Sequence, residues 1–111
     1  MKQPIAEWNK QINWNVIPET VDWIIDQSIA IQQIPAPTFN EEKRALYVAE
    51  QFTLLGLKNV QIDALFNVVG LMAGKQKQLP GIMVSAHTDT VFAQEADLSI
   101  RREKDTIWGA G

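Results

Sequence analysis

The chain carries a single histidine, His87, within the run Ser85-Ala86-His87-Thr88-Asp89-Thr90-Val91. A neutral imidazole is a good zinc ligand. A carboxylate bonded to its second ring nitrogen fixes the tautomer and strengthens the nitrogen that faces the metal. Asp89 lies two positions on, close enough for that task if the chain turns after His87, or to bind a cation itself. Two side chains cannot close a four-ligand site, so three readings stay open: a metal or catalytic pair, a hydrogen-bonded cap on a strand and its turn, and an ordinary surface feature.

Other chemistry is restricted by composition. With no cysteine, the chain has no disulfide, thiol nucleophile or zinc-thiolate site. A second histidine is lacking too, so nothing positive supports a hydrolase that works without metal. The net charge of -3, with both signs interspersed, argues against a phosphate-binding surface. The densest basic run, Arg101-Arg102-Glu103-Lys104-Asp105, alternates with acid and reads as a solvated turn. Trp8, Trp14, Trp23 and Trp108 form no repeated platform and read as core or surface packing residues.

The elements that must position His87 follow from periodicity. Pro18 suits a first helical turn, and Glu19 and Asp22 suit the positive end of the helix dipole. Val21, Ile24, Ile25, Ser28 and Ile31 then form a stripe at helical spacing, which predicts a helix over about 18 to 33. Ile34-Pro35-Ala36-Pro37 ends it. Thr38 and Glu41 have the spacing of a capping box. A second stripe, Ala45, Val48, Ala49, Phe52 and Leu55, closes on Gly56 and predicts a helix over about 41 to 55. Glu41 and Glu42 are explained by opening that helix.

Beyond Gly56 the runs shorten. Val60-Gln61-Ile62 and Asn67 to Met72 read as strands, with Asn67 bracing a turn or edge or, as the alternative, contacting a substrate. The polar stretch from Gly74 to Gly81 reads as a turn between neighbouring strands. Ile82-Met83-Val84-Ser85-Ala86 is almost wholly apolar, as expected of a strand covered on both faces. Leu98-Ser99-Ile100 and Thr106-Ile107-Trp108 predict a hairpin around the charged turn. The expectation is an α/β domain, with two helices followed by mixed-sheet strands, and His87 at a strand's carboxyl end, where ligands collect in open α/β sheets. Residues 1–16 form an arm or short helix ahead of a domain over 17–111. An α/β layer ending at Gly109-Ala110-Gly111, without further crossover helices, reads as truncated.

The order of these pieces resembles the M20 family of metallopeptidases and amidases. Ser85 to Val91 is similar to its first active-site motif. Ile31 to Glu42 is similar to the stretch between its first two helices, Phe66-Asn67-Val68-Val69-Gly70 to its asparagine-containing strand, and Asp97 to Gly111 to its hairpin ending in Gly-x-Gly. The likeness spans about 17 to 111, with a weak preference for the peptidase T and glutamate carboxypeptidase branch.

The resemblance implies the front part of a zinc-peptidase-like catalytic domain. His87 would be a ligand of one zinc in a two-metal site, and Asp89 the catalytic-site carboxylate that orients it. Cobalt or manganese are alternatives. The complete protein would hydrolyse the amide bond of a peptide or N-acyl amino acid substrate as a metal-dependent hydrolase, with the bridging aspartate and paired glutamates beyond Gly111. The portion in hand alone would be inactive, and its unfinished sheet edge prone to aggregation. No nucleic-acid or membrane partner is implied, and a homodimer of the complete protein is allowed. Lys2, Glu7 and Lys10 interrupt any apolar leader, and no stretch nears the roughly 20 apolar residues of a membrane span. A cytoplasmic protein is therefore expected. The alternative from a different class is a noncatalytic α/β binding or interaction module, in which His87 and Asp89 cap the chain.

Overall fold

The computed structural model describes residues 5–110. The chain folds as a small mixed α/β domain: α1 (Ile5–Gln11), α2 (Val16–Gln32), α3 (Glu42–Leu54), β1 (Lys58–Ile62), β2 (Val68–Leu71), β3 (Arg101–Glu103) and β4 (Thr106–Trp108). Met1 to Pro4 of the expected arm, and Gly111 of the Gly-x-Gly ending, lie outside the described residues. No described helix is long and apolar enough to cross a membrane.

Helix α2 begins two residues ahead of the expected start, because Val16 N–H donates to Asn13 O and Ile17 N–H to Trp14 O, winding the chain into the helix before Pro18. It ends at Gln32, where Gln33 N–H still reaches Ile29 O but Pro35 has no donor to continue. Its predicted stripe is only partly used. Ile25 and Ile31 are half-buried, whereas Val21 and Ile24 remain exposed. Helix α3 meets α2 at Gln27, where Tyr47 Oη donates to Gln27 Oε1 at 2.8 Å.

Helix α3 supplies most of the packed centre, with Ala45 fully buried. The expected capping box does not form: no side chain caps the helix N-terminus. Thr38 instead bonds Asp89, and Glu41 Oε1 accepts the Phe39 N–H at 2.8 Å. Its other end matches expectation. Gly56 takes φ +81°, its N–H donates to Thr53 O and the Leu57 N–H to Phe52 O, both at 3.0 Å. These are the two bonds of a Schellman ending, which needs a left-handed residue that glycine adopts without steric cost.

That ending turns the chain into β1, which pairs antiparallel with β2. Val60, Val68 and Gly70 form the half-buried side of the hairpin, against α3. An added Cβ at Gly70 would lie 2.8 Å from Leu57 Cδ2 and 2.9 Å from Phe52 Cδ2, so glycine permits the close approach. The connection is held by Asp63, which accepts from the Leu65 N–H at 2.8 Å, the Asn67 N–H at 2.9 Å and Asn67 Nδ2 at 2.8 Å. Asn67 therefore braces a turn.

The later part departs further from expectation. There is no mixed sheet; the described strands form two separate two-stranded antiparallel sheets, β1-β2 and β3-β4. The polar stretch from Gly74 to Gly81 does not return the chain alongside β2. Residues 82–86 therefore form no strand, and no backbone hydrogen bond joins them to another described residue. Far from being covered on both faces, Ile82, Met83 and Val84 are 92%, 90% and 93% exposed. Arg101–Glu103, expected as a turn, is β3 itself, while Leu98 to Ile100 form no strand. The turn narrows to Lys104 and Asp105, with Lys104 at φ +51° and Arg101 stacked 5.8 Å from the Trp108 ring centre.

Candidate functional site

His87 and Asp89 are brought together as the sequence requires, but on a surface turn. His87 Nδ1 lies 2.9 Å from the Asp89 backbone oxygen and 3.3 Å from Asp89 Oδ1. The imidazole is 84% exposed, so neither packing nor a pocket fixes where its other nitrogen points. The second carboxylate oxygen, Asp89 Oδ2, accepts from Thr38 Oγ1 at 2.8 Å. That bond holds the carboxyl below the usual aspartate range against the opposing effect of desolvation, with a lesser contribution from the nearby His87.

Thr38 belongs to the linker between α2 and α3, and its bond is one of several that clasp this linker to residues 88–94. The Thr90 N–H donates to Ala36 O at 2.8 Å, where Pro37 and Thr90 form a lone parallel bridge. Asn40 Nδ2 donates to Gln94 Oε1 at 2.8 Å. Arg44 is the centre of the clasp. At 6% exposure, it donates through Nε to Ile34 O at 3.0 Å, through Nη2 to the same oxygen, and through Nη1 to Thr88 O at 2.9 Å. Burial lowers its pKa, though a guanidinium remains charged at any ordinary pH. A turn at Pro37 to Asn40 closes the linker, with Phe39 forced to φ +72° and its ring 92% exposed.

Thr38 and Arg44 were not legible as partners of this turn. Arg44 does stand four residues before Val48 of the apolar stripe, which places it on the flank of the packed face; nothing local named Thr88 as its acceptor. Glu42 stands in the first turn of α3 and Glu41 bonds the Phe39 N–H instead of capping the helix, and neither stands in a group with His87 that could hold a metal. Trp14, Trp23 and Trp108 are exposed, so they do not fill a core. The Trp8 side chain lies outside the described residues.

The expected metal centre is not supported. Among the described residues, no group of three or more histidine, cysteine, aspartate or glutamate side chains could hold a metal ion. His87 and Asp89 alone offer too few donors, and Asp89 is already engaged by Thr38 and His87. This corrects the reading of His87 as a zinc ligand in a two-metal site, with its cobalt and manganese alternatives. With the metal goes the metal-dependent peptidase, carboxypeptidase or amidase activity assigned by resemblance, and the classification as a zinc hydrolase. Comparison with known proteins adds no family: no protein-family model matches the chain, and no curated protein matches it.

Proposed function

We propose that the chain is a noncatalytic α/β binding or interaction module, in which His87 and Asp89 fasten a turn and the apolar run before them is offered to a partner. The observation that carries this reading is the contrast across residues 82–90. Asp89 is committed to Thr38, and Thr90 to Ala36, while Ile82, Met83 and Val84 stand almost fully exposed immediately before them. A soluble chain rarely exposes adjacent large apolar side chains unless they meet something. The clasp anchors one end of the run, which limits the entropy lost when the run is ordered on binding.

A zinc titration of the wild-type chain and of His87→Ala, followed by calorimetry, tests the reading. The expected result is no stoichiometric zinc in either chain and unchanged circular dichroism in the variant. One zinc per chain in the wild type, lost in His87→Ala together with metal-dependent amide hydrolysis, would overturn it.

A further inference from the structure

We propose that the partner of the exposed run Ile82-Met83-Val84-Ser85-Ala86 is a second copy of this chain, paired with it antiparallel about Val84. The inference rests on the reading of the chain as an interaction module and names its partner. The backbone groups of residues 82–86 bond no other described residue, and the run lacks charge and internal proline. An uncommitted run of strand-forming residues is a template for another strand.

Charge selects both the partner and the direction. No charged residue falls between Lys77 and Asp89, but the two flanks differ in sign. Lys75 and Lys77 precede the run, and Asp89, Glu95 and Asp97 follow it. Antiparallel pairing of two copies sets each basic flank beside the other's acidic flank; parallel pairing sets like beside like. Opposite charges across a strand pair stabilise it and like charges oppose it. The chain therefore carries both halves of a complementary pattern, as a self-associating segment requires.

Register follows from the symmetry. Val84 is the middle of the five residues and faces its own counterpart across the two-fold axis; Ile82 faces Ala86, and Met83 faces Ser85. Alternation along a strand puts Ile82, Val84 and Ala86 on one side. The two copies then contribute a continuous apolar face, with Val84 against Val84 at its centre. The interface is isologous, closed by a two-fold axis.

The test is sedimentation equilibrium of the 111-residue chain with EDTA present, over a concentration series reaching the millimolar range. The wild type should approach twice the 12.5 kDa chain mass. Val84→Lys and Val84→Glu each place like charges face to face and should each weaken self-association about tenfold, while an equimolar mixture of the two recovers it. Val84 is exposed in the single chain, so neither variant should change the circular dichroism. A chain that remains monomeric throughout overturns the proposal. So does a mass that climbs past two chains, wild-type association by Val84→Lys, or a mixture that fails to recover. Zinc content measured on a parallel sample, incubated with zinc and dialysed without EDTA, separates the two readings: a monomer without zinc removes only the two-fold pair, whereas a stoichiometric site removes the interaction module itself.

Discussion

Residues 34–71 and residues 72–100 both contain runs of strong strand formers, yet only the first region builds regular structure. Between Ile34 and Leu71 each element is tied to the next by bonds over short sequence distances. The Schellman ending of α3 aims the chain into β1, and Asp63 folds the connection to β2. Gly70 lets the hairpin settle on α3. Between Met72 and Ile100 the only described backbone hydrogen bonds are single turns at Leu79 and Ala96 and the bond of Thr90 to Ala36. Val68-Val69 and Met83-Val84 have similar intrinsic preferences; Val68-Val69 has a partner strand brought to it by a five-residue connection, and Met83-Val84 has none. Strand propensity records how well a residue fits a sheet surface, so it is expressed only where a sheet exists.

The largest expected effect on this contrast comes from Arg44, the most buried of the side chains that join the two regions. Arg44→Ala should cost about 2–3 kcal/mol, because it removes charge-assisted bonds and leaves the Ile34 and Thr88 carbonyls without their donor. Urea unfolding measures the loss; a change below the experimental error would show that residues 88–94 do not depend on the clasp. Gly70→Val attacks the first region alone and should cost about 1–3 kcal/mol by crowding Leu57 and Phe52. Its hydrogen-exchange signature should be confined to α3, β1 and β2, and loss of protection elsewhere would mean that the regions unfold together.

A smaller effect depends on pH. The Asn67 side chain first, then the Asn67 and Leu65 backbone amides, hold the Asp63 carboxyl below its ordinary value. A depressed acid contributes its stabilisation fully above the unfolded value, about 3.9, and loses it as pH falls through the lower folded value. The stability difference between wild type and Asp63→Ala should therefore shrink as pH drops below about 4. A constant difference down to the acid limit would exclude ionisation as its source. The smallest effect is expected at Ile82→Ser. In dilute chain it should stay within about 0.5 kcal/mol of wild type, as for an exposed residue without intramolecular partners. A loss of more than that would place Ile82 in a core.

What the sequence discloses divides along the same line. The stripe of α3, the glycine at its end and the turn role of Asn67 are local, because the partners lie within a few residues and the pattern names both. The proline stop of α2 is local too. Nothing local told that Thr38 would leave its capping position to bond Asp89, 51 residues away, or that Arg44 would donate to Thr88. The apolar character of residues 82–86 was visible, but whether a neighbour covers them is a property of the whole fold. His87 and Asp89 were legible as a pair. Their role was not, because two residues supply the same pattern to a metal site and to a capped turn.

The clasp also sets an order in time. Gln32 Nε2 donates to Leu98 O and to Ala110 O, and Thr90 returns to Ala36, so the end of α2 and its linker must find partners 66, 78 and 54 residues along the chain. Closing loops of that length costs chain entropy before any bond rewards it, whereas the helix and hairpin between them close over short distances. The α3–β1–β2 unit should accordingly acquire protected amides first, with the Thr90 amide last, and the lag between them is the interval in which residues 82–86 are tethered at one end only.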